Sequence, residues 1–262
     1  SEDTTLMATP PQVVTDAVLG PALVAGMLNA AEKKSNLGYR DIFIRGTLSG
    51  MFLGTATTLA TTFTVQASGY VGALIFPVGF VIICLWGLEL VTGSFAVTML
   101  AGVSGRAPWS KVIINLCCVY CANMFGSILY AALYAAGFTF FGGKSITSNT
   151  VIQKLIAIAE AKTVSYHHYH ASGWFACLIK AILCNWLVTT GAVMAGISTS
   201  TIGKIAAMWL PIVTFFGQGF EHSVVNMFVI PFAMMMPDAF VTFGDWWGWN
   251  MIPVTIGNFC GG

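Results

Sequence analysis

Gly217-Gln218-Gly219-Phe220-Glu221-His222 interrupts an apolar run that begins near Ile205 and resumes to Met236. It sets a carboxylic acid and an imidazole among side chains suited to hydrocarbon. The same phrase stands earlier as Gly87-Leu88-Glu89, deep in the run that starts near Tyr70. A base precedes each copy (Arg45, Lys180) and an Asn-x-x-Gly follows it, Asn123-Met124-Phe125-Gly126 and Asn258-Phe259-Cys260-Gly261. The offsets between the copies are 135, 132 and 135 residues. Each copy has room for three membrane spans, and an odd number of spans turns the second copy upside down. Interrupted helices at matching positions of an inverted repeat point to a pathway near the bilayer midplane.

Composition supports a bilayer as the solvent. Charged residues make up 8% of the chain and hydrophobic ones 56%, against about 25% charged in an average soluble domain. Residues 46–88, 112–143 and 181–203 hold no Asp, Glu, Lys or Arg. A helix needs about 20 apolar residues to span the hydrocarbon core. The runs are rich in Gly, Ala, Ser and Thr, which let helices approach closely in lipid. The net charge of +1 gives no basic surface for nucleic acid. All seven cysteines fall in apolar spans, and Cys117, Cys118 and Cys121 read as small buried hydrophobes rather than metal ligands. No metal or cofactor is expected.

The whole of 1–262 reads as one transmembrane domain, an all-α polytopic membrane protein. Residues 11–34 read as an interfacial N-terminal helix, apolar on one face and closed by Glu32, Lys33 and Lys34. Residues 42–138 form the first three-helix repeat, 142–173 a polar connecting loop, and 174–262 the second repeat. The last span starts behind Trp246, Trp247 and Trp249 and reaches Gly262 too soon to cross, so it reads as truncated. Seven Lys and Arg on one side of the spans against three on the other put the N-terminus inside.

Glu89 and Glu221 are costly at membrane depth and need partners. The expectation is that each ties its own broken loop together by accepting backbone N–H bonds, or accepts from a residue of the opposite half. His222 has two readings. It is a pore group able to donate a hydrogen bond or exchange a proton, or a core histidine satisfied by neighbouring carbonyls. His167, His168 and His170 read as part of a solvated loop.

Glu221-His222-Ser223-Val224-Val225-Asn226-Met227 resembles the E-H-S-x-x-N-M signature of the formate–nitrite transporter family. Leu90-Val91-Thr92-Gly93, Ser104-Gly105-Arg106, Ile182-Leu183-Cys184-Asn185-Trp186-Leu187-Val188 and Gly257-Asn258 are similar to further family motifs, over about residues 10–262. The Cys184-to-Val188 spelling, with Lys180 before it, resembles the nitrite branch.

The resemblance implies an aquaporin-like six-helix protomer with an inverted 3+3 repeat and two interrupted helices, assembled as a homopentamer with a pore in each protomer. The Asn-Pro-Ala signature of aquaporins is absent from the sequence. By position it assigns the pore to His222, Thr92, Asn226 and Lys162, the apolar constrictions to Phe76, Phe80, Leu90, Val91 and Phe215, and the loop framework to Glu89, Glu221, Asn123, Asn185 and Asn258. Lys162 lies 23 residues before Asn185, about seven more than the family pattern. Its place at the pore mouth is therefore open, with residues 163–173 expected as an outer cap.

The implied function is movement of a small monovalent anion, with or without a proton, across a plasma or inner membrane or a chloroplast envelope. Nitrite or formate is the first substrate and bicarbonate of the plastid branch the alternative. An intramembrane enzyme using His222 with Glu221 is the reading from another class, and no nucleophile motif accompanies that pair.

Overall fold

A computed structural model describes residues 16–18, 20–139 and 148–262. Apart from one isolated bridge between Ala17 and Ser198, the regular structure of the described residues is helical. The first half runs through α1 (Pro21–Ser35), α2 (Tyr39–Gln66), α3 (Gly69–Ile75), α4 (Pro77–Leu85), α5 (Val91–Val103) and α6 (Trp109–Thr139). The second runs through α7 (Thr150–Lys162), α8 (Val164–His168), α9 (His170–Ile197), α10 (Thr201–Gly217) and α11 (Ser223–Met234). It ends with α12 (Phe243–Trp246), a π-helical turn (Trp247–Met251) and α13 (Ile252–Gly261).

Segments Trp109–Gly137 and His170–Ile197 are long and apolar enough to cross a bilayer. α2 is as long, about 42 Å at 1.5 Å per residue, but its threonines lower its hydropathy. Thr55, Thr57, Thr61, Thr62 and Thr64 each donate a hydroxyl bond to the carbonyl four residues back. A helix that satisfies its own hydroxyls in this way is compatible with a low-dielectric surrounding.

Two parts of the sequence reading need correction. The segment 142–173 is not a loop over its described part, since α7 and α8 occupy most of it; residues 142–147 lie outside the described residues. Asn149 starts α7 by accepting from the Val151 and Ile152 amides. Ile152, Leu155, Ile156 and Ala159 then form a buried stripe, at the spacing of one helix face. Gln153 and Lys154 break that stripe in sequence, which made the segment look polar. The N-terminal helix starts at Pro21 rather than near 11 (residues 11–15 lie outside the described ones), and its inner face packs on α5. Arg106 holds it there, donating to Asn29 Oδ1 at 2.7 Å.

Near α8, His167 Nδ1 lies 2.8 Å from Asp245 Oδ1, and its ring stacks on Trp249. Burial works against the Asp245 carboxylate, but the Thr242 hydroxyl and amide and the His167 ring outweigh it and hold its pKa below the usual aspartate value.

Long helices meet where glycine removes the side chain. α2 lies along α6 and α9 along α13. A Cβ on Gly126 would overlap the Thr47 carbonyl, and one on Gly261 would overlap the Ile182 carbonyl. Both members of each pair are 135 residues apart from their counterparts, so the repeat preserves the same close approach. Overpacking of this kind costs about 1–3 kcal/mol or more. Gly126→Ala is expected to lower the thermal-unfolding midpoint of the detergent-solubilised protein. Gly137→Ala in the same helix, where a Cβ meets nothing within 4 Å, is the control and should behave as wild type.

Candidate functional site

The Gly-x-Glu phrase is a helix terminator. After α4, Gly87 adopts φ 62°, and the Leu88 amide bonds back to the Ile83 carbonyl at 2.9 Å. After α10, Gly219 adopts φ 66°, and Phe220 bonds back to Phe215 at 3.2 Å. This is the left-handed glycine cap, which only a residue without Cβ adopts cheaply. The chain then runs extended for a few residues and re-enters a helix. Leu90 and His222 are the entry residues, with φ, ψ of −116°, 119° and −115°, 119°. They are repeat counterparts, 132 residues apart.

Each break leaves backbone groups that no helix satisfies, and one asparagine per half takes them up. Asn123 donates to the carbonyls of Gly46 and Glu89 at 2.9 and 2.8 Å and accepts the Val91 amide at 2.8 Å. Asn258 donates to the carbonyls of Ala181 and Glu221, both at 2.9 Å, and accepts the Ser223 amide at 2.8 Å. All three partners keep the repeat offsets. Asn185 ties the halves together, donating to the carbonyls of Thr92 and Asn258 at 3.0 and 2.6 Å.

The glutamates do not hold the breaks through backbone N–H bonds, as the sequence had suggested; the asparagines already do so, and each carboxylate faces lysine. Lys34 lies 2.8 Å from both oxygens of Glu89. Lys162 lies 2.9 Å from Glu221 Oε2, while the Tyr166 hydroxyl donates to Oε1 at 2.9 Å. Asn226 donates to Glu221 Oε2 at 2.8 Å and to Asn250 Oδ1 at 2.9 Å. Both carboxylates are almost fully buried. A buried charge needs this pairing, since removing one partner of such a pair costs about 3–5 kcal/mol.

Between the breaks, His222 Nε2 lies 3.1 Å from Thr92 Oγ1. Its Nδ1 accepts the Val225 amide at 3.3 Å. A backbone N–H can only donate, so Nδ1 carries the lone pair and the ring proton sits on Nε2, facing Thr92. The partners are thus an amide and a hydroxyl, not the carbonyls of the core-histidine reading. The Phe215 ring stacks on the imidazole at 5.6 Å, and Phe76 meets Phe215 edge-on at 5.8 Å. Phe80, Leu90 and Val91 are buried in the same core. The amino ends of α5 and α11 meet at this place, bringing their positive dipole ends.

Of the residues singled out in the sequence, the structure therefore joins Thr92, His222, Phe215 and Phe76 in one cluster. It joins Glu221, Lys162 and Asn226 in a second. Residues 164–168 and 170–173 are helical, with turns at Thr163 and Tyr169, and Lys162 is bonded to the buried Glu221. Sequence reading missed Lys34, Tyr166 and Asn250. Lys34 had a signal: Ala31-Glu32-Lys33-Lys34 and Ala159-Glu160-Ala161-Lys162 share Ala-Glu-x-Lys, and the Ser35 and Thr163 hydroxyls after them bond back to Ala31 and Ala159 alike. Asn250 had none, because the π turn that aims it depends on packing.

Known proteins resemble this chain in sequence and in fold. The uncharacterized transporter YrhG of Bacillus subtilis is 32% identical over 94% of this chain and 88% of its own length. A probable formate transporter of Methanothermobacter thermautotrophicus is 30% identical over 88% of each chain. The formate channel FocA of Haemophilus influenzae is 30% identical over 89% of this chain and 87% of its own. A solved FNT family ion channel matches the fold with a TM-score of 0.78 over 91% of this chain and 93% of that one, at 24% identity. A solved pentameric formate channel with formate bound matches with 0.71 over 85% and 92%, at 26% identity. Residues 21–262 match the family model described as formate/nitrite transporter, and the chain belongs to that family of integral membrane channels and transporters.

Proposed function

We propose that this protein conducts formate or nitrite, small planar monovalent anions, through a pore centred on the Thr92–His222 pair. The observation that carries the reading is that pair itself: two donors buried between the broken helices and flanked by Phe215 and Phe76. Leu90, Val91 and Phe80 complete the apolar constriction in this proposal. The relatives named formate channels support formate, and the Cys184-to-Val188 spelling supports nitrite. Bicarbonate is the alternative, and its larger body fits a narrow apolar ring less well.

Magnitudes choose between the ways an anion passes. An unpaired charge in an apolar site costs tens of kcal/mol on an ideal estimate. A helix amino end contributes about 0.3–2 kcal/mol, so two of them offset little of that. The species crossing the rings is accordingly the neutral acid. A neutral imidazole with its single proton on Nε2 has no proton to give away, so the proton comes from water at the mouth. His222 and Thr92 then supply hydrogen bonds to the acid at the narrowest point. Lys162 and Lys34 sit on the approaches and attract the anion before it is protonated.

In proteoliposomes, stopped-flow uptake of formate and nitrite should rise about tenfold for each unit of pH lowered, following the neutral fraction well above the acid's own pKa. An inward proton gradient should drive accumulation. His222→Phe should lose most of the flux in a normally assembled oligomer. Uptake independent of pH would overturn the neutral-acid route, and full activity in His222→Phe would remove the histidine from the pore.

The pentameric relative supports the same assembly here. Light scattering of the purified protein should give a protein mass of five 27.9 kDa chains; a smaller particle would refute it.

A further inference from the structure

The two halves match residue for residue at the breaks, yet their carboxylates are bonded differently. Glu89 has Lys34 on both oxygens, at 2.8 Å each. Glu221 gives Lys162 one oxygen only; its other oxygen accepts the Tyr166 hydroxyl. Asn226, and more distantly Asn250 at 3.4 Å, donate to the oxygen that Lys162 touches. Lys180 in turn donates to the Tyr166 hydroxyl at 3.3 Å and lies over its ring. Tyr166 thus links a second ammonium to the same carboxylate.

Tyr166 has no counterpart in the first half. Arg45 follows Lys34 by 11 residues, whereas Lys180 follows Lys162 by 18. The extra residues form the short helix α8, which carries Tyr166 inward to a buried position. In the first half Arg45 bonds the Gly87 carbonyl instead, at 3.3 Å, and leaves Glu89 to Lys34 alone.

We propose that Tyr166 is a positioning residue that frees Lys162 to meet an incoming anion, and so makes the α7–α8 mouth the one with the higher apparent affinity. This rests on the anion-channel reading above. When Lys162 turns toward an anion, Glu221 keeps Tyr166, Asn226 and Asn250 as donors, and no bare buried carboxylate is left. When Lys34 turns away, Glu89 loses the partner of both its oxygens. Lys34 is the more exposed of the two, 25% against 15% of its side chain, so access alone would favour the other mouth; the bonding favours this one. Without the tyrosine hydroxyl, Lys162 would close on both oxygens of Glu221 as Lys34 does on Glu89.

The test is zero-trans influx of formate and nitrite into vesicles sorted by orientation, read as half-saturation concentration and maximal rate for each face. Loss of one hydrogen bond to a charged group in Tyr166→Phe should raise the half-saturation concentration at the α7–α8 face about tenfold or more. The maximal rate and the opposite face should stay near wild type. In a Lys162→Ala background, itself weaker at the α7–α8 face, Tyr166→Phe should add nothing, because the lysine it frees is gone. Lys180→Met, which leaves the tyrosine in place, should shift the same face in the same direction by less, and it serves if Tyr166→Phe does not assemble. An unchanged half-saturation value, equal shifts on both faces, or a full Tyr166→Phe effect without Lys162 would each overturn the proposal. A wild-type protein that moves neither anion would instead overturn the functional reading on which it stands.

Discussion

A broken helix inside a membrane has backbone groups with no water to take them up, and the satisfaction of those groups by Asn123 and Asn258 is what the rest of the structure depends on. Each unsatisfied amide or carbonyl in hydrocarbon costs several kcal/mol. One asparagine side chain meets two of them in each half. No other uncharged side chain but glutamine offers both donors and an acceptor. Because Asn123 also bonds the Gly46 carbonyl and Asn258 the Ala181 carbonyl, each break is pinned to its own long helices, α2 and α9. The amino ends of α5 and α11 are thereby held at one place, with Thr92 facing His222.

This division of labour releases the glutamates from holding the loop. Each is left to pair with a lysine, so neither is a bare buried acid. A buried ion pair of this kind is weak evidence for stability, since desolvation of both charges offsets much of their attraction. In the proposed pore its value lies in setting charge along the path. The Thr92–His222 pair keeps hydrogen-bond donors, which in that proposal meet a small acid without trapping an anion.

The repeat is faithful at the breaks and unfaithful at the approaches. Backbone angles, glycine caps and asparagine bonds coincide between halves, while Leu90 stands where His222 stands and α8 has no first-half equivalent. Backbone satisfaction admits few solutions, so both halves keep the same one. Side chains that satisfy no backbone group are under no such constraint and have diverged.

Much of this was legible in the chain. The near absence of charge over three long runs determined a membrane protein. The recurrence of Gly-x-Glu and Asn-x-x-Gly determined two interrupted helices, and the signature around His222 determined the family. These features follow local rules: a span needs length and apolarity, a left-handed cap needs glycine, and a break needs a polar partner. Which partner each polar group takes was decided only by the tertiary structure. The sequence marked Glu89 and Glu221 as requiring company, and folding gave them Lys34 and Lys162, 55 and 59 residues away. It also turned the polar segment 148–168 into helices, brought Tyr166 to Glu221, and aimed Asn250 through a π turn. A hydrogen bond is satisfied by any donor within about 3 Å, and spacing along the chain does not say which donor packing will bring there.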